Sequence, residues 1–242
     1  MGDRTAAARE TRATDRALDP APETRPAPET HAPETRAAPD TRRAHWDGVY
    51  AARRADELSW FEAFPATSLT LIERCRPGKA ARIVDVGGGA SRLTGALLDA
   101  GYQSLTVLDL SAVALAAARE RLGPRASAVE WLAADVTTWR PPAAYGIWHD
   151  RAVFHFLTGE EDRAGYRAAL EGALQRGGHA VIGTFAEGGP AQCSGLPVVR
   201  YEPAALAAAL GPAFALVESL HEDHLTPSGK VQRFQFSRLV KL

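Results

Sequence analysis

Arg82-Ile83-Val84-Asp85-Val86-Gly87-Gly88-Gly89-Ala90-Ser91-Arg92 decides the fold of this chain. An apolar, β-branched run ends in an acid and opens at once into three glycines. Behind Ser91, the residues Leu93, Ala96, Leu97 and Ala100 recur at spacings of three and four, the period of a buried helix face. A strand, a tight glycine turn and a helix follow, which gathers backbone N–H groups at the helix N-terminus. Glycine suits the turn because a residue without Cβ reaches positive φ and lets a ligand approach the main chain. A glycine loop alone is weak evidence of function. Its weight comes from what lies at fixed distances beyond it.

Towards the C-terminus the pattern alternates. Leu105–Leu108 reads as a buried strand ending in Asp109, and Ser111 is placed to cap an alanine-rich helix running to Arg121. Val129–Ala133 is a third strand with Asp135 just beyond it, and Tyr145–Trp148 a fourth, ending in His149-Asp150. Thr158-Gly159-Glu160-Glu161 has the form of a capping box for a helix through Leu170 and Leu174. His179–Phe185 is a fifth strand, and a short helix ends at Gly211. Two last strand-like runs, Phe214–Leu220 and Val231–Leu239, are joined through Pro227-Ser228-Gly229-Lys230 with no helix between them. The alternation predicts an α/β fold, Rossmann-like and doubly wound. Its seven-stranded sheet is mostly parallel, with helices on both faces and an antiparallel edge strand in a closing hairpin.

Towards the N-terminus the material changes. Residues 1–44 hold no aromatic residue and near-repeats of one pentapeptide, at Ala21–Arg25, Ala27–His31, Ala32–Arg36 and Ala38–Arg42. Such a segment has nothing to bury, so a disordered tail is expected, with the folded domain over residues 45–242. Trp46, Tyr50, Trp60, Phe61 and Phe64 crowd the start of that domain, where residues 45–56 read as a short helix and Ser68–Cys75 as another.

Composition narrows the function. A net charge of −1 argues against general nucleic-acid binding, and the two cysteines, Cys75 and Cys193, make neither a disulfide framework nor a metal cluster. No apolar run reaches the length of a membrane helix and the first 44 residues carry no secretory signal, so a cytoplasmic protein is expected.

In an open parallel sheet the ligand lies outside the carboxyl ends of the strands. Asp85, Asp109, Asp135 and Asp150 occupy those places after successive strands, and Asp109 follows Gly89 by the interval at which an acid meets ribose hydroxyls. A dinucleotide fingerprint would want a small residue where Arg92 stands. The pattern instead resembles class I S-adenosylmethionine-dependent methyltransferases, over roughly residues 45–242. Asp85 to Ser91 is similar to that superfamily's first motif, Leu108-Asp109-Leu110-Ser111 to its second, and Ala134-Asp135-Val136 to its third.

The resemblance implies that Asp85, Gly87, Gly88 and Gly89 form the loop against the methionine moiety and that Asp109 and Leu110 meet the ribose. Asp135 and Val136 would lie beside the adenine. Asp-Arg-Ala at residues 150–152 is similar to a segment of thiopurine S-methyltransferase-like enzymes and of small protein-lysine methyltransferases. That puts Asp150 near the cofactor, under an aromatic cover made by Trp46, Tyr50 and Trp60. The superfamily's usual proline and fourth-strand acid are replaced here by Arg176 and Gly146.

Methyl transfer from a sulfonium is an in-line displacement, so a protein base is needed only where the acceptor carries a proton. His149, Asp150 and His155 are the candidates by their strand-end position. Cys193, in a loop expected over the site, and the His221–His224 segment are further candidates for substrate contact, and no metal is expected. The reading is methyl transfer to a small molecule bearing S, N or O. Protein-lysine methylation, a nicotinamide-dependent oxidoreductase and a non-catalytic cofactor-binding module are the alternatives.

Overall fold

Every expected strand forms, in a computed structural model that describes Met1 and residues 39–141 and 144–242. The main sheet comprises β1 (Arg82–Val86), β2 (Ser104–Asp109), β3 (Val129–Ala133), β4 (Tyr145–Arg151), β5 (Leu174–Phe185), β8 (Phe214–Leu225) and β9 (Val231–Lys241). Their order is β3-β2-β1-β4-β5-β9-β8. The first five run parallel, while β9 runs against both β5 and the edge strand β8. A small antiparallel hairpin, β6 (Gln192–Cys193) with β7 (Leu196–Pro197), follows β5 as a separate two-stranded sheet. The order reverses between β1 and β4, which opens a crevice at the carboxyl ends of those strands.

The helices are α1 (Pro39–Ala52), α2 (Ala66–Arg74), α3 (Leu93–Asp99), α4 (Ala112–Leu122), α5 (Glu160–Ala173) and α6 (Pro203–Leu210). On one face Leu71, Ile72, Leu93 and Leu97 pack on Ile83, Ile147, Phe234 and Phe236. On the other Tyr166, Leu170, Leu206 and Leu210 pack on Val84, Trp148, Ala180 and Ile182. Strand periodicity accounts for both: successive residues of β4 point to opposite faces, so Ile147 serves the first core and Trp148 the second. Among the described residues no helix is long and apolar enough to cross a membrane.

Several boundaries differ from the sequence reading: β5 begins at Leu174, which was expected in the helix before it, and not at His179, and β8 runs on past Leu220 to Leu225. α1 begins at Pro39, not near residue 45, and it takes in residues expected in the tail; proline at a first helical position forfeits no hydrogen bond. Residues 2–38 of the expected tail lie outside the described residues. Ser111 caps α4 through the Ala114 N–H (3.1 Å), as expected, but the Thr158 capping box does not form: Gly159 is the N-cap of α5 and makes no side-chain cap bond. β4 continues through His149 and Asp150 to Arg151, which puts two candidate bases inside a strand.

Gly165 lets α5 nest against the segment after β3. A Cβ there would fall on the carbonyl oxygen of Thr137 and 3.0 Å from its carbonyl carbon. Gly165→Ala is expected to destabilise the fold by about 2–3 kcal/mol through overpacking, despite alanine's better helix propensity. A lowered urea midpoint at unchanged slope checks this, and an unchanged midpoint counts against the packing.

Candidate active site

The glycine turn is built from inside. Gly87 adopts φ +71°, and a Cβ on it would collide with Val153 Cγ2. A Cβ on Gly89 would stand 2.6 Å from Ala114 Cβ and 2.8 Å from Asp109 Oδ2. The absence of side chains lets the Gly89 N–H reach Asp109 Oδ2 (3.0 Å), while Asp109 Oδ1 accepts from the Ser111 N–H (2.8 Å). Asp109 is therefore fixed between the turn and the start of α4. Burial pushes its carboxyl up to about 6, against the pull of those two N–H groups.

Next to the turn lies a cavity of about 150 Å³. One end is walled by Gly87, Asp109, Leu110, Asp135 and Val136. Trp46 and Tyr50, one turn apart on α1, form a roof with Trp60 and Phe156, with Trp46 ring centroids 5.9 Å from Trp60 and 5.0 Å from Phe156. The far end is framed by Phe185, Cys193, Leu196 and Phe234. A smaller cavity adjoins it, walled by Asp85, Gly87, Gly88, Ser91, Glu62, Trp60 and Arg151.

Asp135 is held on both sides. Oδ1 accepts from the Thr137 N–H (2.9 Å) and hydroxyl (2.7 Å), and Oδ2 from Arg42 Nη2 (2.7 Å). Arg42 also lies 3.0 Å from Asp162, so one guanidinium ties α1 to the loop after β3 and to α5. Asp47 reinforces this where the Ser111 hydroxyl donates to its Oδ1 (2.5 Å).

The candidate bases are placed otherwise than their strand-end position implied. His149 and Asp150 are consecutive in β4 and point to opposite faces of the sheet. His149 joins Asp85 Oδ1 (2.7 Å) and Ser68 Oγ (2.9 Å), so both ring nitrogens are engaged and it orients Asp85 beneath the glycine turn. Asp150 is fully buried and walls neither cavity. It accepts from the N–H groups of Val153 (2.8 Å) and Phe154 (3.1 Å) and from the Tyr166 hydroxyl (2.7 Å). Its expected places beside the cofactor and the substrate give way to holding the turn after β4, and burial pushes its carboxyl up to about 6.

His155 is equally buried behind Phe156 and Phe185, accepts from the Phe185 N–H (3.3 Å) at Nδ1, and burial drives its pKa down to about 3. It is a neutral packing residue. Cys193 does reach the cavity wall, with burial raising its thiol pKa. His221 lies on the surface beside Glu202, while His224 Nε2 donates to the Ser59 carbonyl (2.8 Å).

Of the expected cofactor residues, Gly87, Asp109, Leu110, Asp135, Val136, Trp46, Tyr50 and Trp60 meet on one cavity, and Asp85 and Gly88 on its neighbour. Gly89 stands behind them and serves through its N–H. Arg42, Glu62, Arg151 and Phe234 were not expected there. Arg42 lies in a repeat that carries no helix signal. Phe234 reaches the site only because β9 pairs with β5, with Phe185 and Phe234 in register.

Residues 83–178 match a family model described as a methyltransferase domain. The eEF1A lysine and N-terminal methyltransferase of Mus musculus is 26% identical over 120 residues, which are 49% of this chain and 17% of that protein. The Burkholderia thailandensis 1,6-didemethyltoxoflavin-N1-methyltransferase, solved with its substrate and S-adenosylhomocysteine, has a TM-score of 0.62 at 21% identity, over 85% of this chain and 91% of its own. The N-methyltransferase NodS of Bradyrhizobium japonicum WM9, solved with S-adenosylhomocysteine, has a TM-score of 0.62 at 18% identity, over 81% and 97%. At these identities the two structural likenesses are likenesses of fold.

Proposed function

We propose that the chain is a class I S-adenosylmethionine-dependent methyltransferase and that it methylates a small-molecule nucleophile. One observation carries the choice of acceptor. The cavity that begins at Gly87, Asp109 and Asp135 ends among Phe156, Phe185, Leu196 and Phe234, beneath a roof of Trp46, Tyr50 and Trp60. Such a wall suits a compact, largely apolar or aromatic acceptor. The structural neighbour that holds 1,6-didemethyltoxoflavin favours the same reading, whereas the mouse relative, matched over a sixth of its length, favours protein-lysine methylation as the second one.

The residues present fit the cofactor. Asp109 stands on the cavity wall with a carboxylate aimed by two N–H groups, as paired ribose hydroxyls require, and Leu110 and Val136 supply apolar faces for a purine. S-adenosylmethionine, when bound, supplies a methyl group on a sulfonium sulfur. The protein's share is to hold an acceptor in line with that methyl and to keep water out, which the aromatic roof does. We assign His149, Asp150 and His155 no proton transfer, because each is spent on the protein itself. The acceptor therefore enters with a lone pair available. We place the enzyme in the cytoplasm, where its two cysteines, both free, would stay reduced.

Calorimetric titration with S-adenosylhomocysteine and, separately, NADH tests the cofactor. Binding in the micromolar range for the first and none for the second is expected; binding of NADH alone would overturn the assignment. A panel of thiols, amines, phenols and a lysine peptide, read by S-adenosylhomocysteine formation, then separates the two acceptor readings. Turnover of the peptide alone would replace the small-molecule reading.

A further inference from the structure

Arg151 ends β4 where the two cavities meet, and it lines both. Its side chain is 10% exposed. Nη1 donates to the Trp60 carbonyl (2.9 Å), the guanidinium lies 4.5 Å from the centre of the Phe234 ring, and Nη2 is 3.2 Å from Glu62 Oε1. Nε and Nη2 nonetheless lack an aligned hydrogen-bond acceptor. Burying a guanidinium with two idle nitrogens is costly unless something completes it.

Glu62 is the opposite half. It walls the smaller cavity beside Gly87 and Gly88, and ligand atoms of Glu62, Glu222 and His224 lie within 4.8 Å of one another. Burial pushes the Glu62 carboxyl up to about 7; Glu222 adds to the rise, and Arg151 and His149 oppose it.

We propose that Glu62 and Arg151 together receive a zwitterionic amino-acid head group, its ammonium on Glu62 and its carboxylate on Arg151. The proposal rests on the methyltransferase reading, since two molecules at this site can carry such a group: the cofactor, through its methionine end, and an amino-acid-like acceptor. With no ligand bound, the two side chains compensate each other in a poorly aligned pair. A head group brings the same two charges in complementary order, so it adds no net charge of its own and both sides gain charge-assisted hydrogen bonds. A divalent metal at Glu62, Glu222 and His224 suits the site less well. Arg151 already places a fixed positive charge against Glu62, and His224 spends Nε2 on Ser59. An ammonium arriving at Glu62 also weakens its hold on a proton, so filling the site near neutral pH releases part of one proton. The groups facing Glu62 are Arg151 and His149 of β4 and Glu222 and His224 of β8.

The test is calorimetry near pH 7 in two buffers of different ionisation enthalpy. S-adenosylhomocysteine and 5′-methylthioadenosine, which lacks the amino-acid end, are titrated into wild type, Glu62→Gln and Arg151→Met. If the cofactor fills the receptor, S-adenosylhomocysteine binds wild type with proton release. Each variant then weakens it roughly ten- to hundredfold, the weight of one charged hydrogen bond, and Glu62→Gln removes the release. Methylthioadenosine binds all three alike.

If the acceptor fills it, S-adenosylhomocysteine binds all three equally. Proton release then appears when the standard amino acids are titrated into the S-adenosylhomocysteine-saturated wild type, and Glu62→Gln abolishes it. Glu222→Gln, which leaves the Glu62–Arg151 pair intact, is a second variant: it reduces the release in either case with little loss of affinity. Equal affinities with no release in either titration would overturn the receptor and leave the cofactor assignment standing. Failure of folded wild type to bind either nucleoside would remove the methyltransferase reading and the receptor with it.

Discussion

Asp109→Ala loses S-adenosylhomocysteine binding by about two to four orders of magnitude, the expected weight of two hydrogen bonds to a charged carboxylate at roughly 1.5–3 kcal/mol each. The same side chain accepts the Gly89 and Ser111 N–H groups, so its removal also frees the glycine turn from the start of α4. Asp109→Asn separates the two effects. It keeps the shape, loses the charge and sets an NH2 group against an N–H, and an intermediate loss is expected. Because burial pushes this carboxyl up to about 6, wild-type affinity should also decline as pH falls through that value. Wild-type affinity in the alanine variant, in protein with native circular dichroism, would refute the ribose role.

The second large effect is on stability. Asp150→Ala is expected to cost about 3–5 kcal/mol, because it strands the Val153 and Phe154 N–H groups and the Tyr166 hydroxyl in the core. Its pH dependence has a definite direction. The folded carboxyl titrates at about 6 and an unfolded aspartate near 4, so between these values the native state holds more protons than the unfolded one. Stability from this group is full below about pH 4 and falls by up to about 3 kcal/mol as pH rises to about 6. Urea unfolding of wild type and Asp150→Asn across that range measures it. The margin of wild type over the variant should shrink as pH rises, and a constant margin would show that the carboxyl is not perturbed.

The alternation of apolar runs with capped helices made the sheet legible, because each run carried its own stop signal: Gly87 to Gly89, Asp109 with Ser111, and Pro227 to Lys230. The walls of the cavity were legible for a related reason, since the carboxyl ends of parallel strands converge on one crevice. The failure lay in β4. An acid and a histidine at the end of a strand look like neighbours in one site, yet the period of two divides them between the two faces, and the strand ran longer than its apolar stretch. Arg42 and the Glu62–Arg151 pair were hidden for a different reason. Arg42 and Glu62 are charged residues on segments without periodicity, and Arg151 lies beyond the apolar stretch of its strand. Only the folded chain brings Arg42 to the loop after β3 and Glu62 to β4 and β8.

Arg42 also governs time. By joining α1 to Asp135 and Asp162, it fastens the roof that Trp46 and Tyr50 form, and Asp47 adds a second fastening at Ser111. A nucleoside held beneath that roof is expected to leave as these contacts part, which would tie its residence to the opening of one helix. With the proposed activity, release of the spent cofactor is then expected to be slow beside methyl transfer.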